Sequence, residues 1–500
     1  MINLRKITDE LAAGISSDNF SLSTGIPGIT VIEDTYLMNK LAHFNRERIP
    51  ERVVHAKGSG AYGYFEVTND LSKYTCAKMF SKVGKKTEML ARFSTVGGEK
   101  GSSDSVRDPR GFALKFYTED GNYDLVGNNT PVFFIRDAMK FPDFIHSQKR
   151  DPQSNLKNPN MFWDFLSLTP ESMHQVIILF SDRGIPKGFR HMHGFGSNTF
   201  MWYNEKNDYC WVKYHFKTEQ CIENYTSEEA DKLSATNPDS SASDLFDNIK
   251  KGNFPSWKVY VQIMSKEDAK KYRFDPFDVT KVWYHKDYPL IPLGRMVLNK
   301  NPQNFFTEIE QSAFSPSHFV RGIGPSPDKL LQGRLMAYPD ANRYRVGTNV
   351  NELDVNKPKV LFTTYEKDGT MADNSQGNTK LNYFPNSYED VYEDKCYKVP
   401  DFDVSGFIAR HTFPSSDIDF EQPGELYRRV MGDKEKIILI DNLCGSLKLA
   451  DLKLQYRAVA LFYKVDVNLG TRLSDKLCLN IENIKALSIM TQEQRVLNTK

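Results

Sequence analysis

Arg334 and Tyr338 lie four positions apart in the stretch Leu330–Arg345, which reads Leu-Leu-Gln-Gly-Arg-Leu-Met-Ala-Tyr-Pro-Asp-Ala-Asn-Arg-Tyr-Arg. Side chains with that spacing share one face of a helix, so the sequence predicts contact between the guanidinium and the phenol. A guanidinium against a phenol oxygen stabilises the phenolate, which is a hard anionic ligand for ferric iron. Tyr338 is therefore a candidate haem ligand, and an ordinary surface pair is the alternative. Because proline disfavours helix at the preceding residue, Pro339 predicts a kink or a helix end at Tyr338.

Peroxide chemistry at such an iron needs a base and an orienting dipole on the opposite side. His55 is the candidate base, and Ser94 offers a hydroxyl that can fix the tautomer and orientation of a histidine. Asn128 is the candidate amide donor, although a Gly-Asn pair is equally typical of a turn. A lone histidine is more often packed or exposed than catalytic, so these roles depend on what surrounds them.

Three arginines support a haem pocket. Arg52, Arg92 and Arg345 fall near apolar positions, where an unpaired charge is costly, and the two propionates of a haem would give them partners. Four phenylalanines could line the dry side of such a pocket, although an aromatic stripe is more often core: Phe133, Phe134, Phe141 and Phe144.

The overall composition is that of a globular protein. The chain has 500 residues, 40% hydrophobic and 26% charged, with a net charge of +1, so neither a nucleic-acid partner nor a membrane partner is indicated. Six scattered cysteines show no C-x-x-C spacing, which favours a reducing compartment. The final residues, Leu-Asn-Thr-Lys, do not match a Ser-Lys-Leu address, so we expect a cytoplasmic rather than a peroxisomal location.

The pattern of the chain predicts an α+β fold with an antiparallel β-barrel core. Gly58-Ser-Gly-Ala-Tyr-Gly63 has the spacing of a dinucleotide fingerprint but runs into an alternating, aromatic stretch, which excludes a Rossmann strand–helix turn. Six segments alternate as half-buried strands do: 89–96, 111–118, 131–136, 198–203, 209–217 and 256–264. Because no helices are regularly interposed, a barrel or sandwich is favoured over a doubly wound sheet.

Four regions are predicted along the chain. Residues 1–35 read as an N-terminal arm, and residues 36–265 read as the β-barrel haem domain with helical insertions. Residues 266–420 are punctuated by proline and read as a long wrapping segment that includes the helix of Tyr338. Residues 421–500 carry apolar residues at three-to-four spacing, which predicts a C-terminal helical domain.

Several motifs together resemble the monofunctional haem catalases of the small-subunit type. They occur in that family's order and spacing, and the resemblance covers roughly residues 25–430. The segments that carry it are Arg52–Gly58, Arg92–Val96, Arg107–Ala113, Gly127–Asp137, Phe141–Arg150 and Arg334–Asp340.

The resemblance implies a homotetramer that disproportionates hydrogen peroxide to water and dioxygen through an oxoferryl haem intermediate and so protects against oxidative stress. It implies haem b with ferric iron, Tyr338 as the metal ligand with Arg334 beside it, and His55 and Asn128 as the catalytic residues. The implied cofactor and channel contacts are Arg52, Val54, Arg92, Ser94, Val96, Asp108, Phe133, Phe141 and Arg345.

Some members of this family also hold NADPH. The residues that resemble that site are His174, Ser181, Arg183, Lys217, Val282, Trp283 and His285, and ordinary surface polarity is the alternative for them. Two positions depart from the family pattern, because His193 and Asn198 stand where relatives commonly carry asparagine and histidine. Two other functions remain open: a catalase-related allene oxide synthase acting on fatty-acid hydroperoxides, and a haem-binding relative without activity.

Overall fold

The computed structural model describes residues 5–373, 377, 379–412 and 417–500. The chain separates into two compact units, one ending at Glu51 and the other running from Arg52 to Lys500. The first unit holds helix α1 (Thr35–Phe44), which begins where the Asp34 carboxylate accepts a hydrogen bond from the backbone N–H of Leu37. The division into regions at residues 35, 265 and 420 stays a prediction.

The second unit is built on antiparallel strands. The strands that the structure describes are β1 (Gly58–Val67), β2 (Lys86–Ser94), β3 (Gly111–Thr118), β4 (Gly121–Asn128), β5 (Gly194–Phe195), β6 (Phe200–Tyr203), β7 (Tyr209–Thr218), β8 (Ser256–Ser265), β9 (Ile291–Lys300) and β10 (Ile323–Gly324). Strands β1 to β4 pair in sequence, β9 joins β1 to β8, and β8 pairs with β7, which returns to β4 through β5. The sheet therefore closes into the predicted barrel.

Side-chain alternation separates the inside of the barrel from its outside. Met89, Ala91 and Phe93 of β2 are fully buried in the barrel core, where Phe93 stacks on Phe189 at 5.4 Å between ring centroids. The residues between them project to the opposite face. Aromatic rings fill the interior, so any large cofactor must bind outside the barrel wall.

The outward face of β2 to β4 carries a second apolar cluster. Leu90, Ala113 and Val126 belong to this cluster, and Tyr338 packs against it. The register aligns Ser94, Gly111 and Asn128 across three neighbouring strands at one end of this face. This face is therefore where the candidate residues can meet.

Helices cover the barrel and build the C-terminal region. Those described in the second unit are α2 (Phe141–Gln148), α3 (Pro159–Ser167), α4 (Met173–Phe180), α5 (Ser227–Thr236), α6 (Ser240–Lys250), α7 (Lys266–Ala269), α8 (Lys329–Val346), α9 (Ile418–Glu425), α10 (Asp433–Leu447), α11 (Leu452–Val465), α12 (Val467–Lys476), α13 (Ile481–Ser488) and α14 (Gln492–Leu497). Leu443, Val459 and Leu473 from three of the C-terminal helices are fully buried in one cluster. None of the described helices is long and apolar enough to cross a membrane.

Two local features differ from the expectation drawn from the sequence. Residues 131–136 form no strand, although Val132, Phe134 and Ile135 are buried. Two further strands were not predicted: β9 falls within residues 266–420, and β4 ends at Asn128. Helix α8 continues through Pro339, since the missing proline N–H costs only one hydrogen bond in a helix held by tertiary contacts.

Candidate active site

His55 is held in an unusual backbone conformation just before β1. Its φ angle is +63°, in the left-handed region that non-glycine residues rarely adopt, and its backbone N–H donates to the carbonyl of Val96 at 3.0 Å. Its ring Nδ1 lies 2.9 Å from Ser94 Oγ, as the sequence predicts. A non-glycine residue in this region marks a place where the surrounding structure dictates the geometry.

Gly111 provides the room for this imidazole. A Cβ at position 111 would lie 2.4 Å from Ser94 Oγ and 2.7 Å from His55 Nδ1, closer than atoms approach without displacement. The sequence analysis did not single out this glycine as part of the site. Its only sequence signal is its place in Arg-Asp-Pro-Arg-Gly-Phe-Ala, directly before a strand.

The imidazole of His55 is neutral in this environment. Burial, followed by the positive charges of Arg92, Arg334 and Arg52, lowers the pKa of His55 from 6.5 to about 3. The imidazole therefore stays unprotonated across the physiological range. The same interactions show that His55 lies within electrostatic reach of arginines from β2 and from helix α8.

Asn128 is the last residue of β4 and lies beside Gly111 and Ser94 across the sheet. It pairs in register with Gly111 on one side and with Phe195 on the other. Among the described residues, no hydrogen bond is formed by its side-chain amide, which is half-buried. The amide is thus available to a bound ligand next to the glycine that contacts His55.

Arg334 and Tyr338 are in contact on helix α8. Arg334 Nη2 donates to the Tyr338 hydroxyl at 3.0 Å and to the carbonyl of Val126 at 2.6 Å. The second bond ties the helix to β4, so the phenol is positioned against the outward face of the barrel. Tyr338 is half-buried, and its hydroxyl is not directed freely into solvent.

Asn198 extends this network away from the tyrosine. Its Oδ1 accepts from Arg334 Nη1 at 2.5 Å, and its Nδ2 donates to Asp328 Oδ2 at 2.7 Å. Asp328 in turn caps helix α8 by accepting from the backbone N–H groups of Leu330 and Leu331. The neutral amide keeps the Asp328 carboxylate from pairing directly with Arg334, so the guanidinium charge remains beside the phenol oxygen.

Arg52, Arg92 and Arg345 form a buried cationic group. Each has a side-chain nitrogen that is buried without a hydrogen-bond partner, namely Arg52 Nη1, Arg92 Nε and Arg345 Nη1. Burial, followed by the charges of Arg92 and Arg345, lowers the pKa of Arg52, which shows that the three lie close together. Unpartnered buried guanidinium nitrogens are costly, so this group is suited to an anionic ligand.

A cluster of aromatic rings lies next to the segment that carries His55. The rings of Phe133 and Phe141 stack at 6.4 Å, and Phe144 lies edge-on to Phe133 at 5.8 Å. Val54, next to His55, packs against the same cluster. Asp108 sits beside this region and accepts from the backbone N–H groups of Val96 and Gly97, while burial raises its pKa.

Comparison with known proteins shows the family of this chain. A family model described as "Catalase" matches residues 8–390, and a second, described as "Catalase-related immune-responsive", matches residues 414–477. The chain belongs to the catalase family. It is 54% identical over 495 residues to the catalase of Methanosarcina barkeri, covering 99% of this chain and 98% of that one.

Further comparisons agree with this assignment. Catalase-A of Dictyostelium discoideum is 56% identical over 483 residues, covering 96% of this chain and 97% of the relative. The structure of catalase A from Saccharomyces cerevisiae superposes with a TM-score of 0.92 at 44% identity, covering 95% of this chain and 99% of that one. The protein is therefore a haem catalase acting on hydrogen peroxide, and the two alternative functions are not favoured.

The residues present fit a haem. The buried arginines offer unpartnered donors for two carboxylates, the outward face of β2 to β4 is apolar, and a tyrosine hydroxyl lies against it. Glu310 completes the charge pattern and was missed by the sequence analysis. Its carboxylate lies 3.8 Å from Arg52 Nη1 and 3.6 Å from Arg345 Nη1.

A second polar cluster of this catalase brings together part of the expected nucleotide site. Burial, followed by the charge of Arg183, lowers the pKa of Lys217 to about 8, and burial followed by Lys217 lowers the pKa of His285. His193 joins them, since burial and then Lys217 and Arg183 lower its pKa to about 3. Its Nδ1 accepts from the backbone N–H of Thr218 at 3.2 Å, so the neutral ring presents an Nε2–H donor.

The other expected nucleotide residues have internal partners or are buried. Ser181 Oγ donates to the carbonyl of Ile178, and Trp283 is 2% exposed with its indole N–H on Pro276. The backbone N–H of Val282 donates to Gln422. His174 is buried, with its Nδ1 unpartnered, and burial followed by Lys281 lowers its pKa to about 3.

Proposed function

We propose that this catalase holds ferric haem b against the outward face of β2 to β4, with Tyr338 as the iron ligand. Arg52, Arg92 and Arg345 would bind the propionates, and the observation that supports this is their set of unpartnered buried nitrogens. Bound haem supplies the two-electron redox chemistry that peroxide disproportionation requires. Arg334 Nη2 donates to the Tyr338 hydroxyl at 3.0 Å, so a positive charge lies beside the oxygen that would bind the iron.

We propose that His55 is the general base and acid. For Nε2 to take a proton from hydrogen peroxide, Nδ1 must carry a hydrogen, and Ser94 Oγ lies 2.9 Å away as an acceptor for it. The imidazole then returns the proton to the departing oxygen as water leaves. Asn128 donates its free amide to the peroxide and stabilises the charge that develops during proton transfer.

The observation that carries this proposal is the placement of the His55 ring, whose Nδ1 lies 2.9 Å from Ser94 Oγ. Burial, followed by the charges of Arg92, Arg334 and Arg52, lowers its pKa to about 3, so the buried imidazole is neutral. The purified enzyme should show a haem Soret band and release dioxygen at an oxygen electrode. His55→Ala should retain the Soret band and lose about 100- to 10,000-fold in turnover; near-normal turnover would refute the role of His55.

NADPH binding is proposed for the cluster of Arg183, Lys217 and His285, with His193 as an additional donor. Two cations and an imidazole N–H suit the phosphate groups of a nucleotide. Heat-released nucleotide should show nicotinamide fluorescence. Arg183→Gln should lower the nucleotide content without changing the haem content, and the absence of fluorescence from the wild-type protein would count against the site.

A homotetramer and a cytoplasmic location complete the proposal. Large apolar side chains are exposed in the second unit, including Tyr388 at 80%, Phe407 at 89% and Ile408 at 108%, which is typical of surfaces covered by association. All six cysteines are free thiols, which supports a reducing compartment. Sedimentation equilibrium tests the tetramer directly, and a monomeric mass would refute it.

A further inference from the structure

Glu310 is a buried carboxylate among the arginines of the haem site. It ends the π-helical turn Phe306–Glu310, and its side chain is 2% exposed. Single π-helical turns are rare and are often found at functional sites. Its two oxygens lie 3.6 Å from Arg345 Nη1 and 3.8 Å from Arg52 Nη1, near enough for attraction but beyond hydrogen-bond distance.

The backbone of the same region fixes the arginines. Arg52 Nη2 donates to the carbonyls of Ile309, Glu310 and Ser312 at 2.9 to 3.1 Å, and Arg345 Nη2 lies 3.3 Å from the Ser312 carbonyl. The Glu310 carboxylate therefore does not anchor these side chains. The Nη1 donors that face it remain free for another acceptor.

The charge of this group matches a ligand with two carboxylates. Three guanidinium groups and one carboxylate leave two positive charges. Burial, followed by repulsion from Arg92 and Arg345, lowers the pKa of Arg52. Burial also lowers the pKa of Arg92, to about 10, and the negative charge of Glu310 partly offsets that effect. Lys100 also reaches Glu310 at 3.6 Å, but its side chain is 42% exposed and its charge is screened by water.

We propose that Glu310 sets the charge of the cofactor site. Together with Glu310, the three arginines carry the positive charge that the two carboxylates of a porphyrin neutralise; without it, they would carry an excess. The inference rests on the proposed haem site. Glu310 acts through the charges of Arg52 and Arg345, not by holding their side chains in place, and it is not a catalytic residue. It also gives the arginines a counter-ion before the porphyrin binds, which lowers the cost of burying three like charges.

Replacement of Glu310 by glutamine tests the inference in the haem-loaded enzyme. Glu310→Gln keeps the shape and leaves one extra positive charge near the iron, which favours the ferrous form. The iron midpoint potential, measured by spectroelectrochemistry, should therefore shift in the positive direction. Glu308→Gln is the matched control, because it removes a carboxylate from the same turn that binds the backbone of Gln303 and Asn304. We expect its potential to match the wild type.

A double variant in which the two charge changes cancel provides a second test. Arg345→Gln alone should shift the potential in the negative direction, and the double variant Arg345→Gln, Glu310→Gln should return it towards the wild-type value. An unchanged potential in Glu310→Gln, or an equal shift in Glu308→Gln, would overturn the inference. If Glu310→Gln does not fold, recovery of folded haem protein in the double variant supports the inference, and failure to recover overturns it. A wild-type protein without haem would instead refute the proposed function.

Discussion

Gly111→Ala should displace the imidazole of His55, the proposed catalytic base, without changing the residue itself. The new Cβ would lie 2.7 Å from His55 Nδ1, whereas ordinary van der Waals contact begins near 3.4 Å, so the ring must retreat by about 0.7 Å. It would also lie 2.4 Å from Ser94 Oγ, the group that orients the ring. A misplacement of this size costs on the order of 100-fold in rate, or about 2.7 kcal/mol of transition-state stabilisation.

The assay is kcat/KM for dioxygen release, normalised to haem content from the Soret band. Gly97→Ala is the matched control, because its added Cβ would find only Asp108 Oδ2 at 4.0 Å. It should retain wild-type activity. If Gly111→Ala keeps both its haem and near-normal kcat/KM, then the exact placement of His55 by this glycine does not govern turnover, and the geometric argument fails.

Two other predictions concern the charges around the site. Since burial and then Arg92, Arg334 and Arg52 lower the pKa of His55 to about 3, its base form is lost only as the pH falls through that value. The kcat/KM should stay level between about pH 5 and 8, and an inflection near the ordinary histidine value of about 6.5 would contradict this. Asp328→Asn should remove the carboxylate that Asn198 links to Arg334 and shift the iron midpoint potential in the positive direction, because loss of negative charge favours ferrous iron. Ser326→Ala, which removes a nearby hydroxyl hydrogen-bonded to Thr199, is the control that should leave the potential unchanged.

Local spacing and alternation predicted much of the architecture. The four-residue separation of Arg334 and Tyr338 predicted their contact because a helix fixes that geometry over one turn. A threonine three residues before a glutamate, Thr226 and Glu229, is the sequence pattern of a capping box, and the structure has that box at the start of α5. The barrel followed from strands that alternate over eight to ten residues.

Features that depend on contacts between distant parts of the chain could not be predicted from the sequence. Glu310 meets Arg52 across 258 positions, and no local pattern marks it as part of a cationic site. The left-handed backbone of His55 is imposed by its contacts and not by its residue type. Residues 131–136 are apolar and resemble a strand, but no neighbouring strand pairs with them, so burial alone does not produce one.

Alternate residues of the same strands face the barrel core and the candidate cofactor pocket. In β2, the side chains of Ala91 and Phe93 pack in the barrel core, whereas those of Arg92 and Ser94 lie on the outward face with the candidate pocket. Insertion of a single residue would exchange the two sets, placing a guanidinium in the aromatic interior and a phenyl ring at the haem face. Insertion of two residues would preserve the alternation, so this catalase should tolerate length changes in β2 by even numbers far better than by odd ones.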